Sequence, residues 1–288
     1  MSSDYQKLQE YVKELSEKLV PRDAAHPENL KKVADYIEER LKSFTDRVEN
    51  QPYSADGMTV RNVRAFFGPE TDDRIVVGAH YDVAGPYPGA DDNASGVAGL
   101  LELARLLSDE ELPIQVELVS YPLEEPPYFY TKKMGSYIHA KSLKDEAVNV
   151  KAMIALEMIG YFSDDEGSQS YPLSLLRPFY PSVGNYIAVV GKMFQKGLVR
   201  KVKKAMKGVA SLPVESINAP KLVPGIAFSD HLNYWRHGFP AVMITDTAMY
   251  RNPNYHSPTD TAGTLNYRKM AQVVDGVKES VQKLAKGE

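Results

Sequence analysis

The chain of 288 residues contains no cysteine. Disulfides and thiolate metal sites are therefore excluded, and any metal must be held by His, Asp and Glu. No run approaches the roughly 20 apolar residues of a membrane span. The N-terminus, Met1-Ser2-Ser3-Asp4-Tyr5-Gln6-Lys7, has no apolar signal core. The expectation is a soluble protein with no membrane partner, cytoplasmic as written, or secreted or periplasmic where a signal has been removed. Positive charge is not in excess either. The formal net charge is −4, which leaves no electrostatic reason to expect nucleic acid. Ser/Gly/Pro linkers and internal repeats are missing. With 43% hydrophobic and 25% charged residues, the composition is ordinary globular and the length suffices for a sizeable core.

Leu8, Tyr11, Val12, Leu15 and Leu19 recur at helical spacing, and Pro21 stops the run. Pro27 opens a second helix with Leu30, Val33, Ala34, Ile37 and Leu41 on one face. Residues 47–53 and 58–67 read as a pair of strands around Ser54-Ala55-Asp56-Gly57. An alternation follows. Strands are expected over 75–79, 114–121, 150–156, 186–190 and 241–245, and helices over 95–107, 134–143, 192–207, 229–237 and 265–284. This pattern predicts an α/β fold, a three-layer αβα sandwich around a mixed, mostly parallel sheet. The irregular stretch 163–182 reads as an excursion above that sheet.

Open α/β sheets bind ligands beyond the carboxyl ends of their strands. The first such end carries Gly78-Ala79-His80-Tyr81-Asp82, followed by Pro88-Gly89-Ala90-Asp91-Asp92-Asn93-Ala94-Ser95-Gly96. After 114–121 come Pro122, Leu123, Glu124 and Glu125. The strand over 150–156 ends on Glu157, and the loop after 241–245 carries Tyr255-His256-Ser257. Unpaired buried carboxylates are costly and need a partner. Six groups, His80, Asp92, Glu124, Glu125, Glu157 and His256, match the needs of two metals and one proton carrier. Paired metals roughly 3.5–4 Å apart hold one water, lower its pKa towards about 7 and polarise a carbonyl. The remaining carboxylate then serves as general base.

These motifs resemble the co-catalytic zinc exopeptidases of the bacterial leucyl aminopeptidase and aminopeptidase Y type. Glutamate carboxypeptidase II and the glutaminyl cyclases are more distant relatives. The length admits one large α/β domain or two small ones, and 1–288 is read as a single metallopeptidase domain. The resemblance covers the chain from about Ile75 onward and implies action on peptide or aminoacyl substrates. It implies two zinc ions, with cobalt or manganese as substitutes. His80 and Glu157 would bind one metal, Glu125 and His256 the other, and Asp92 would bridge them. Glu124 would be the general base of a hydrolysis that removes N-terminal residues, and Asp82 would orient His80. Tyr255 would hydrogen-bond the substrate carbonyl, and a cis peptide would join Asp91 to Asp92. Ser229-Asp230-His231, ahead of Tyr234-Trp235, matches a further family motif at a helix start.

Three departures stand out. Glu157 occupies a place that is usually aspartate. Pro126-Pro127-Tyr128-Phe129-Tyr130-Thr131-Lys132-Lys133-Met134 separates the Glu pair from Gly135-Ser136, and this insertion should sit at the mouth of the site. Ile226 stands where some aminopeptidases carry a tyrosine. The alternative activities are glutaminyl cyclisation, carboxypeptidase action, or a binding domain without catalysis. Blander readings attach to other residues. His26 and His139 read as surface groups, His231 as a structural residue, and His237 as part of a helix end. Asn93 reads as a cap for the following helix rather than a glycosylation site. The basic run 200–207 reads as the wet face of a helix. Tyr128, Phe129 and Tyr130 fit either the core or a pocket wall. Arg177 and Arg251 could grip a substrate carboxylate or pair with the acidic cluster, and the structural role is preferred for both.

Overall fold

The computed structural model describes residues 2–209 and 211–288. Helix α1, Tyr5–Lys13, starts where the Asp4 carboxylate accepts the Gln6 and Lys7 amides. It buries Leu8, Tyr11 and Val12, and the run continues through a wider π-type turn, Glu14–Lys18, that buries Leu15. Helix α2, Pro27–Lys42, has the expected proline in its first turn and the expected apolar face. Strands β1, Val48–Ala55, and β2, Met58–Phe67, form an antiparallel hairpin. Gly57, at φ +82°, takes the left-handed position that its turn requires.

The alternation then runs β3 (Asp73–His80), α3 (Gly96–Leu107), β4 (Gln115–Tyr121), α4 (Gly135–Asp145), β5 (Asn149–Glu157), β6 (Ile187–Lys192), α5 (Lys196–Val209), β7 (Val214–Ala219), α6 (His231–Arg236), β8 (Ala241–Thr245) and α7 (Tyr267–Ala285). The eight strands lie in the order β1-β2-β4-β3-β5-β8-β6-β7. Four neighbouring pairs are parallel: β3 with β4, β3 with β5, β5 with β8, and β6 with β7. The other three are antiparallel. Strand β7 was not expected. It is six residues long, follows Pro213, and is paired on one side only, so neither a long apolar run nor a clean alternation marks it.

Side chains on successive strand positions point to opposite faces, and the two faces bury different helices. Ile75, Val77, Ile154, Val189 and Ile244 pack with α1, α2, α3, α5 and α7. Val76, Met153, Ala188, Val190 and Met243 pack with α4 and α6. The result is the three-layer sandwich around a mixed sheet. Among the described residues, no helix is long and apolar enough to cross a membrane.

The register levels the strand ends. His80 pairs with Tyr121 across β3 and β4, and Glu157 pairs with Thr245 across β5 and β8. One close approach supports this rim. A Cβ on Gly78 would meet Tyr121 Cε2 at 2.3 Å. The Tyr121 ring is buried and its hydroxyl is tied to that of Tyr234 at 2.7 Å. Gly78→Ala is therefore expected to lower stability by about 1–3 kcal/mol, read as a lower urea midpoint at unchanged slope. An unchanged midpoint would mean that the ring moves freely.

Candidate metal centre

His80 is the last residue of β3 and is fully buried. Its Nε2 lies 3.3 Å from Glu157 Oε2, 3.5 Å from Asp92 Oδ1 and 4.0 Å from Glu124 Oε2. Across from it, His256 Nε2 lies 3.1 Å from Asp92 Oδ2 and 3.2 Å from Glu125 Oε1. The side chains thus form two groups able to hold a metal, His80–Asp92–Glu157 and Asp92–Glu125–His256, with potential ligand atoms within 4.8 Å of one another in each. Asp92 is common to both. Glu124 belongs to neither and stands beside them.

Both ring nitrogens of His80 and both carboxylate oxygens of Asp92 are buried without a hydrogen-bond partner among the described residues. Such orphaned polar atoms are costly. His80 Nε2 and the two Asp92 oxygens lie among the ligand atoms of the two groups, the arrangement expected of atoms that share a cation, while His80 Nδ1 faces Asp82. The charges agree. Burial pushes the Glu125 carboxyl up to about 8, helped by Asp92. Burial also raises Glu157, and it raises Glu124 well above the usual range, against the pull of His80. Burial would lower His256, but its contacts with Asp92 and Glu125 carry it up to about 10. A divalent cation at these points supplies the positive charge that the carboxyl groups lack. The donor set of imidazoles and carboxylates suits zinc and also admits cobalt or manganese.

The supports lie behind these groups. Asp82 stands 3.5 Å from His80 Nδ1, and its two oxygens accept the backbone amides of Glu124 and Glu125 at 3.0 Å each. It therefore ties β3 to the Glu pair as well as facing His80. Ser229 donates to Glu157 Oε2 at 2.6 Å, fixing the longer arm of the glutamate. Asp230 is buried with both oxygens unpartnered, and burial lifts it to about 7. His231 Nε2–H donates to Ile226 O at 2.8 Å, and burial depresses the ring to about 4, as suits a structural histidine.

Two supports were not read from the sequence. Asp260 accepts the amides of Asp91 and Asp92 at 2.9 and 3.1 Å. Arg22 is fully buried and donates to Pro88 O and Gly89 O. Their partners are backbone groups far away in the chain, so no local spacing signals them. Asp91 accepts from Gly160 N–H at 3.0 Å and Asn252 Nδ2 at 2.7 Å. Asn93 accepts the Gly96 amide at 3.1 Å, the capping contact expected of it, and donates to Leu156 O at 2.8 Å.

Two expectations are corrected. The non-proline cis bond joins Asp92 to Asn93, not Asp91 to Asp92. It falls where the chain turns from the shared aspartate to the Asn93 contact with β5. His139 is not a surface group. Helix α4 lies flat on the sheet, so His139 is fully buried, 2.9 Å from Glu117 Oε1 and 2.6 Å from the Tyr234 hydroxyl.

Tyr255 stacks on His256 with ring centroids 3.8 Å apart. Burial, then Asp92 and Glu125, raises its phenol and keeps it a donor. It lines a cavity of about 110 Å³ that opens beside Glu157. Most of the lining is apolar or aromatic, drawn from β6, β7, β8 and the loops 169–186 and 223–228. The insertion after Glu125 divides between its two readings. Tyr128 is buried in the core, whereas Phe129 meets the cavity residue Phe228 edge-on at 6.0 Å. Tyr130 donates to Ala227 O at 3.1 Å. Arg251 is structural, donating to Gln169 Oε1 and Tyr186 O.

The chain is similar to known proteins. The model of peptidase family M28 matches residues 62–281. The uncharacterised protein YfbL of Escherichia coli (strain K12) is 50% identical over 280 residues, covering 94% of this chain and 86% of that protein. Leucine aminopeptidase 1 of Ajellomyces capsulatus is 26% identical over 217 residues, which cover 70% of this chain. The match spans about half of that protein's length (50%). Among solved structures, a zinc aminopeptidase from Bacillus subtilis superposes with a TM-score of 0.75 at 15% identity, covering 97% of this chain and 94% of that one. A glutaminyl cyclase from Bacteroides thetaiotaomicron superposes at 0.70 with 21% identity, covering 98% of each. At these identities the structural likeness concerns the fold.

Proposed function

The chain belongs to peptidase family M28, and from that premise we propose that it is a zinc-dependent aminopeptidase whose whole length, 1–288, works as one metallopeptidase domain. The observation that carries this reading is Asp92, a buried carboxylate whose two oxygens have no partner and face two separate ligand groups. His80 and Glu157 would hold one zinc, Glu125 and His256 the other, with Asp92 shared between them. Zinc, when bound, supplies Lewis acidity: it activates water near neutral pH and polarises the scissile carbonyl.

The protein's own groups do the rest. Glu124 stands beside both metal groups and has its backbone fixed by Asp82. It takes the proton of the attacking water and delivers it to the leaving amine. Tyr255, a protonated phenol at the cavity wall, donates to the carbonyl oxygen as charge builds there. Asp82 faces His80 Nδ1 and holds the ring so that Nε2 points inward. The apolar cavity beside Glu157 receives the substrate's first side chain and excludes water around it.

Cyclisation of N-terminal glutamine is the rival with a fold in common. Two complete ligand groups favour the aminopeptidase, because cyclisation at a single zinc needs only one of them. The test combines metal analysis with a substrate panel. Two zinc ions per chain are expected, with hydrolysis of free aminoacyl amides and none of N-blocked ones. Adding zinc at about 100 times its Kd to chelator-treated protein should stabilise it by about 2.7 kcal/mol, a rise in Tm of roughly 5 °C or more. One tight zinc with ring closure of a glutaminyl peptide would overturn the reading, as would cleavage that requires a free carboxyl end.

A further inference from the structure

The cavity beside Glu157 has a floor of defined register. Glu157 pairs with Thr245, Thr245 with Ala188, and Ala188 with Glu215. The four residues form one row across β5, β8, β6 and β7, and all four line the cavity. Residues paired this way share a face of the sheet. The row therefore begins at a candidate metal ligand and ends at a second glutamate on the edge strand. Three strand spacings of about 4.8 Å place the two ends roughly 14 Å apart. Between them stand only a threonine and an alanine, and these short side chains leave the row hollow.

Helices α4 and α6 cover the same face closer to the middle of the sheet, packing on residues such as Val119, Met153 and Tyr121. The cavity walls are largely aromatic and aliphatic, and at the β7 end they include Tyr180 and Ile217. Two of the polar lining groups are engaged elsewhere. Gln169 is bonded to Thr247 and Arg251, and the Tyr180 hydroxyl donates to Ser216 O. Glu215 differs. Among the described residues its ion-pair partner is Lys203, 3.0 Å away, which comes from α5 on the opposite face of the sheet. That pair is partly exposed on both sides, with 25% of the Lys203 side chain and 29% of the Glu215 side chain accessible. Such a pair is weakly held.

A largely apolar cavity with a carboxylate at the far end of its floor row matches a side chain with a long aliphatic stem and a cationic head. We propose that Glu215 determines specificity, admitting substrates whose N-terminal residue is lysine or arginine, with the stem along the Ala188 floor and the head on the Glu215 carboxylate. This rests on the aminopeptidase reading of the neighbouring centre. Leucine and methionine also enter the apolar part of the cavity but leave its far end unfilled.

The test compares lysyl and norleucyl amides on the zinc-loaded enzyme, since norleucine keeps the stem and lacks the head. Glu215→Gln should lower the lysyl-to-norleucyl ratio of kcat/KM by about fivefold, the scale of one partly exposed ion pair, with norleucyl turnover unchanged. Lys203→Met, which frees the carboxylate, should raise that ratio. Ala188→Leu should cut lysyl and norleucyl turnover and spare alanyl amide. An unchanged ratio in Glu215→Gln overturns the proposal. Should the wild-type protein cleave none of these amides, the aminopeptidase reading fails, and calorimetry then decides on Glu215 separately. Lysinamide that binds Glu215→Gln as tightly as wild type overturns it, and weaker binding with norleucinamide unaffected supports it.

Discussion

Glu124→Gln, loaded with zinc, is expected to retain both metal ions and lose turnover by roughly 10²–10⁴-fold, the range that general acid–base catalysis contributes. The substitution keeps the shape of the side chain and removes only its capacity to carry a proton. The backbone of residue 124 stays anchored, because its amide is held by Asp82 at 3.0 Å whatever the side chain. Glu124 is also absent from both ligand groups, so the metal content should not change. Its burial keeps the proton affinity high, which suits a group that first accepts a proton and then returns it. Metal analysis and steady-state rates on the same sample check this. Wild-type-like rates with both metals present would remove Glu124 from the mechanism. Loss of a metal would move it into the ligand set.

Asp92→Asn should act in the opposite order, on metal first and activity as a consequence. Asn is isosteric with Asp, and the backbone amide of residue 92 still reaches Asp260, so the fold should survive. What disappears is the negative charge that both groups share. Loss of a partner that merely supports a ligand costs about 10–100-fold in metal affinity, and loss of a shared ligand should exceed that. After dialysis the variant should hold at most one zinc, and hydrolysis should fall to background. Two tightly held ions in Asp92→Asn would show that the centres do not depend on a common carboxylate. Together the two variants separate binding from chemistry: one is expected to be full and inert, the other depleted.

The placement of His80, Asp92, Glu124, Glu125, Glu157 and His256 along the chain was legible because each follows a strand whose apolar run is easy to see. The parallel register then brings those strand ends to one rim. What was not legible depends on partners remote in sequence. His139 lies on a helix of weak amphipathicity, and only the sheet beneath and the neighbouring helix α6 show that Glu117 and Tyr234 enclose it. Arg22 and Asp260 act on backbone groups of the 88–92 turn, which leave no mark on side-chain patterning. Strand β7 lacks a second neighbour, so its residues were not under the pressure that makes central strands apolar on both faces. The cavity row was invisible for the same reason, since it requires the order in which four strands lie.

The Arg22 contact has a consequence for how the protein can be cut. The family match begins at residue 62, yet the turn that carries Asp92 is gripped from residue 22. The segment just ahead of the first helix is in turn roped to the last helix, with the Ser3 amide and hydroxyl donating to Asp275 at 2.7 and 2.8 Å. A fragment trimmed to the shared pattern would keep every proposed ligand and lose the clamp that aims one of them. The smallest working piece of this molecule is therefore expected to be longer than the piece by which its kinship is recognised.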